Sequence, residues 1–161
     1  MSNNGDGHPQ APPVGIEATL SIRGQYVKDL SFENPNAPIS LTTGEGQPKI
    51  DVQVEVGARL LAETDYEVHV KIAATARHGE AIAFVLELVY GGVFALGNIP
   101  EDSRQAICLI ECPRLLFPFA RRIVADATRD GGFPPLLLDP IDFAALYRQQ
   151  LIQHAADAPD A

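Results

Sequence analysis

Ile50-Asp51-Val52-Gln53-Val54-Glu55-Val56 decides the fold class. Apolar and polar residues alternate with period two, the spacing that sends successive side chains to opposite faces of a strand. Ile50, Val52, Val54 and Val56 share one face, and Asp51, Gln53 and Glu55 share the other. Downstream the pattern repeats, with Tyr66, Val68, Val70 and Ile72 opposing Glu67, His69 and Lys71. Arg77-His78-Gly79-Glu80 then reads as a hairpin connection, because Gly79 can adopt the left-handed backbone such turns need. The strand beyond it puts Ile82, Phe84, Leu86, Leu88 and Tyr90 on one face and Ala83, Val85, Glu87 and Val89 on the other. Upstream, Ala18 to Phe32 predicts a further strand, with Tyr26, Leu30 and Phe32 opposing Gln25, Asp29, Ser31 and Glu33. Together these segments predict an antiparallel sheet with one apolar face and one mixed, acidic face.

Asn34 to Pro48 joins the first two strands with no regular period and contains Pro35, Pro38, Gly44, Gly46 and Pro48. A connection this long is a binding loop or a crossover between non-adjacent strands. Two helices follow the strands and are expected to cover the apolar face. The first starts near Pro100-Glu101-Asp102, where proline and acids suit a helix N-terminus, and runs to about Arg129. Pro113 and Pro118 mark kinks or breaks within it, and Gly131-Gly132 ends it. The second is expected to begin with Asp139 as N-cap and Pro140 in the first turn, with Phe143, Leu146, Tyr147 and Leu151 as its apolar stripe. Strands first and helices last make the class α+β.

The 161 residues amount to one domain. Residues 1–15, rich in Gly and Pro, read as a disordered extension, residues 16–154 as the folded unit, and residues 155–161 as a disordered tail. The 46% hydrophobic content suits a globular core. A net charge of −9 argues against nucleic acid and anionic membranes as partners and favours basic protein surfaces or basic unfolded segments. No signal-peptide pattern opens the chain and no apolar run approaches membrane-helix length, so a cytoplasmic protein without membrane insertion is expected.

Catalytic and cofactor signatures are missing from the sequence. It contains neither a phosphate-binding loop of Walker type nor G-x-G-x-x-G. Gly91-Gly92 alone marks a strand irregularity. His8, His69, His78 and His154 are scattered. Cys108 and Cys112, four apart on a helix, can share a face but lack two further metal ligands nearby, and read as buried thiols. No catalytic residue, cofactor or metal site is expected.

Four ordered stretches resemble the SecB family of bacterial export chaperones. They are Tyr26-Val27-Lys28-Asp29-Leu30-Ser31-Phe32-Glu33-Asn34-Pro35-Asn36-Ala37-Pro38, Glu87-Leu88-Val89-Tyr90-Gly91-Gly92-Val93-Phe94, Cys112-Pro113-Arg114-Leu115-Leu116-Phe117-Pro118-Phe119-Ala120-Arg121 and Gly132-Phe133-Pro134-Pro135-Leu136-Leu137-Leu138-Asp139-Pro140-Ile141-Asp142-Phe143. The chain departs from the family pattern in its longer N-terminal extension and in Val85, where leucine is usual. The resemblance implies a four-stranded antiparallel sheet with two C-terminal helices on one face. It also implies a homotetramer, a dimer of dimers with the long helices between outer sheets. Leu86, Leu88 and Tyr90 would then serve subunit packing or the assembly interface.

Two surfaces follow from the same resemblance. A long apolar groove for unfolded preproteins would be lined by Ile39, Phe133, Leu137, Phe143, Leu146 and Tyr147, residues for which a core role competes. The translocase ATPase SecA would dock through Asp29, Glu33, Val85 and Glu87. The implied function is ATP-independent holding of secretory precursors and their delivery to SecA. Two alternatives stay open: a SecB-like chaperone of a toxin–antitoxin system, and a hotdog-like small dimeric enzyme, whose central helix would come before most of the strands.

Overall fold

The computed structural model describes residues 18–42 and 46–159. The expected extension at residues 1–15 lies outside them. Four long strands, β1 (Thr19–Glu33), β2 (Lys49–Ala62), β3 (Asp65–His78) and β4 (Ala81–Gly97), form one antiparallel sheet in the order β1-β4-β3-β2. The segment from Asn34 to Pro48 is therefore a crossover from one edge of the sheet to the other. A short 3₁₀ turn, Ile39–Leu41, interrupts it. Asn34 Nδ2 donates to Gly131 O at 3.0 Å and Asn36 Nδ2 to Ile82 O at 2.8 Å, which fastens the crossover to a helix end and to β4. At the β3–β4 hairpin Gly79 takes φ +58°, as the turn requires.

One helical rod crosses the inner face. It comprises α1 (Glu101–Ala106), a π turn (Ile107–Glu111) and α2 (Cys112–Asp130). The π turn stands directly before Pro113. Proline has no N–H to donate to Leu109 O and its ring crowds that carbonyl, and the wider turn, with Cys112 N–H bonded to Ile107 O, relieves the conflict. Neither Pro113 nor Pro118 breaks the rod.

Period two holds on β2 from Ile50 to Leu60 and on β3, with an irregularity at Leu61 beside the hairpin. Val68, Val70, Ile72, Ala74 and Ala76 face inward with Phe84, Leu86, Leu88, Phe94 and Leu96 of β4, all buried beneath Cys112, Leu116, Ala120 and Val124 of α2. Leu86, Leu88 and Tyr90 are thus core residues of a single chain. Gly92 admits this close packing: a Cβ there would meet Leu116 Cδ2 at 2.9 Å.

Three bulges shift the expected parity. Arg23 and Lys28 are extra residues on β1 opposite β4, so Val27 pairs with Tyr90 and Tyr26 with Gly91. Tyr26 therefore lies on the outer face and not with Leu30 and Phe32, while Gln25 faces inward and accepts from the Tyr90 hydroxyl at 3.1 Å. Ala83 is the third extra residue, and Ile82 pairs with Arg77 instead of standing beside Phe84.

The last helix, α3 (Phe143–Asp157), begins later than expected and continues past the boundary set at residue 155. Its N-cap is Asp142, whose Oδ1 accepts from Ala145 N at 3.0 Å, not Asp139. Ile141 and Leu146, the positions of a hydrophobic staple, are both half-buried against the core and fix this entry. Only Phe143 of α3 is buried, and Leu151 is 46% exposed, so the expected stripe does not pack as a whole.

Candidate functional site

Beyond Gly132 the chain turns back along α2 as an extended strap over residues 133–142. The run Phe133-Pro134-Pro135-Leu136-Leu137-Leu138-Asp139-Pro140 cannot easily be helical, because each proline biases its predecessor to extended backbone. Its leucines alternate: Leu136 is half-buried, Leu137 is 60% exposed and Leu138 is buried.

Between this strap, the edge strand β2 and the crossover runs an apolar trough. Three adjoining hollows of about 310, 380 and 220 Å³ make it up, sharing Leu136, Leu137, Phe133 and Pro134 along the strap and Gln47 and Pro48 opposite. Ile50, Val52 and Val54 supply the β2 side. A fourth hollow of about 370 Å³ beside it includes Ile39, which is 69% exposed on the 3₁₀ turn. Ile39, Phe133 and Leu137 thus gather at this trough, Phe133 mostly as buried support, its ring tilted against Phe84 at 5.0 Å. Phe143, Leu146 and Tyr147 do not line these hollows; Phe143 is core, packed edge-on against Phe117. Sequence reasoning missed the β2 valines and Leu136, although the proline-bracketed leucines signalled an extended, partly exposed segment. A larger hollow, about 690 Å³, lies elsewhere, between the far half of β2, α1 and the end of α3. Its rim of Glu55, Arg59, Glu101, Arg104, His154 and Asp157 matches apolar side chains poorly.

The outer face of the sheet carries the second candidate surface. Glu33 pairs with Val85, Ser31 with Glu87 and Asp29 with Val89, so the expected residues stand together on adjoining strands. Among the described residues no ion pair involves Asp29, Glu33 or Glu87. The cations of β1 are committed elsewhere: Arg23 pairs with Asp65 at 3.1 Å, and Lys28 with Glu67 at 2.9 Å. Glu67 is buried and also accepts from Arg59 Nε at 2.9 Å and from the Tyr26 hydroxyl. Hydrogen bonds from Lys28 and Tyr26 hold its carboxyl down at about 2. The ion pairs of this face lie at the Arg23–Glu67 end, and Asp29, Glu33 and Glu87 take part in none of them.

His69 beside that cluster is lowered below its ordinary value by burial and by Lys28, so it is neutral at pH 7. Cys108 and Cys112 are free and buried. A hydrogen bond with Cys108 and burial push the Cys112 thiol far up, which keeps it protonated and unreactive. Among the described residues no group of three or more His, Cys, Asp or Glu could hold a metal. None of the described helices is long and apolar enough to cross a membrane.

Comparisons with known proteins bear on the family and the fold. The family model described as "SecB: Preprotein translocase subunit SecB" matches residues 15–154. The protein-export protein SecB of a Bradyrhizobium species is 53% identical over 156 residues, covering 97% of this chain and 94% of the relative. That of Maricaulis maris is 55% identical over 140 residues, covering 87% and 81%. Among solved structures, a SecB-like chaperone of Mycobacterium tuberculosis, in complex with a ChAD peptide from the HigA1 antitoxin, aligns with TM-score 0.59 at 16% identity. It covers 76% of this chain and 90% of that one, and shares the fold. With the family match spanning nearly all of the folded chain and relatives more than half identical, the chain belongs to the SecB family of protein-export chaperones.

Proposed function

We propose that the protein holds unfolded secretory preproteins in the apolar trough, in the cytoplasm and without nucleotide, and delivers them to SecA through its acidic outer face. The observation that carries this reading is the trough itself, with Leu137 and Val52 exposed on its walls to a solvent that a folded chain would normally exclude. Such a surface gains by accepting apolar side chains of an extended segment, and its affinity comes from buried area more than from sequence. Several copies around one client multiply weak contacts into useful avidity. The exposed acids Asp29, Glu33 and Glu87, with Val85 among them, suit a basic partner surface carrying an apolar contact.

Assembly as a dimer of dimers belongs to the same proposal. The inner face of β1 keeps Ile22, Val27 and Leu30 exposed, and α2 keeps Leu115 and Phe119 exposed, an apolar area that a second copy would cover. The antitoxin peptide bound by the M. tuberculosis relative speaks for that protein, and the export relatives are far nearer in sequence. In a purified system, stoichiometric protein should suppress aggregation of an unfolded precursor equally with and without ATP. A requirement for ATP would overturn the holding mechanism.

A further inference from the structure

The strap carries its exposed leucine between two polar ties to α2. Thr128, fully buried near the helix end, donates its hydroxyl to Val124 O or Ala125 O, at 3.0 and 3.1 Å. The same oxygen accepts from Leu136 N at 2.9 Å. The Thr128 carbonyl also accepts from Phe133 N at 3.1 Å, so this residue organises the whole reversal. A threonine that back-bonds within its helix usually ends its chemistry there; here its remaining lone pair takes an amide of another segment. Seven residues earlier, about 10 Å along the helix axis, Arg121 Nε donates to Leu138 O at 2.7 Å.

Between the two pinned positions stands Leu137. Leu136 N and Leu138 O lie in the peptide planes at the two ends of the Leu136–Leu138 segment, so the segment that carries Leu137 is held at both ends. Buried Leu138 next to it sets the alternation. Leu137 must then point away from α2, over Val52 and Val54. We propose that Thr128 and Arg121 are positioning residues of the chaperone: neither needs to touch the client, and both act by presenting Leu137 to it. This rests on the reading of the trough as the client site. It also explains why an exposed leucine keeps one direction on a segment without secondary structure of its own. Free to turn, it would leave that position, and the trough would lose the exposed leucine of its strap wall.

The test measures the affinity of a fluorescently labelled, permanently unfolded secretory precursor by anisotropy, with the full chain. Thr128→Val removes the hydroxyl at nearly constant volume, and Arg121→Met keeps the apolar stem without its donor. Each should weaken binding about three- to tenfold, a fraction of what a fully buried leucine contributes. Thr128→Ser should restore it, and Thr128→Val should speed hydrogen exchange at the Leu136 amide. In a Leu137→Ala background neither substitution should weaken binding further, because the side chain they position is gone. Full additivity in that background, or unchanged affinity in both variants while Leu137→Ala weakens it, would overturn the positioning role. If Leu137→Ala has no effect, the trough reading falls and the positioning role with it. Should Thr128→Val not fold, Arg121→Met, changed at an exposed side chain, decides the matter alone.

Discussion

Tyr26 lies flat across β4 where Gly91 has no side chain, and a methyl group at Gly91 would stand 2.9 Å from Tyr26 Cε2. The missing side chain lets a β1 residue reach over a neighbouring strand to Glu67 on β3, while Arg59 reaches the same carboxylate from β2. Three strands are tied by one buried anion. Gly91→Ala should displace the ring, break that hydrogen bond and cost about 1–3 kcal/mol. Gly92→Ala should cost a similar amount for a different reason, lifting α2 at Leu116. Urea unfolding of both variants checks this; stabilities within error of wild type would show that the ring and helix yield freely.

The Glu67 cluster predicts an acid and an alkaline arm of stability. The folded Glu67 carboxyl sits at about 2 against an ordinary 4.5, held there by Lys28 and Tyr26. Its stabilisation is complete above 4.5 and lost as pH falls towards 2, because the unfolded chain takes up the proton first. Tyr26 is raised from 10.0 to about 12 by burial and the bond to Glu67, so its contribution is lost as pH rises through that window. Glu67→Gln should flatten the acid arm and Tyr26→Phe the alkaline one, read from unfolding midpoints across pH.

The acidic face predicts separable activities. Changing Asp29, Glu33 and Glu87 to lysine reverses three exposed charges while leaving the inward residues intact. Binding to SecA should fall at least tenfold and lose its salt dependence, with client holding retained, since the trough flanks the opposite face. Calorimetry against SecA and against an unfolded precursor decides it; equal loss of both would show the surfaces are not separate.

Assembly and folding should respond to different leucines and valines. Leu86→Arg buries an unpaired charge in the core of each chain, so it should abolish folding. Val27→Asp and Phe119→Asp alter side chains that are 47% and 43% exposed, so each chain should fold yet dissociate to smaller species. Multi-angle light scattering should give about four subunits for wild type and fewer for both variants, with circular dichroism unchanged.

Much of the sheet was legible because alternation is local: Ile50 to Val56 and Tyr66 to Ile72 face as their spacing predicts. The faces of Asp29, Glu33, Val85 and Glu87 were legible too, since no bulge falls between Asp29 and Glu33 or between Val85 and Glu87. Tyr26 was misplaced because Lys28 is the extra residue, and an insertion relative to a partner strand leaves no mark in one strand's own pattern. Asp139 and Asp142 are equivalent as candidate caps on paper. Packing of Ile141 and Leu146 chose between them.

The sequence by itself determined the faces of β2 and β3 from Ile50 to Val56 and Tyr66 to Ile72, the helical rod, the hairpin at Gly79 and, through four ordered motifs, the chaperone family. Each is written in short-range spacing or in a string of residues read in order. Only the tertiary structure decided the parity of β1 before Lys28, the tolerance of Pro113 by a π turn, and the walls of the trough. Those depend on which segments meet: β2 with the strap, Thr128 with Leu136, Arg121 with Leu138. Contacts between residues distant in the chain are set by how the layers pack, and no local periodicity encodes that.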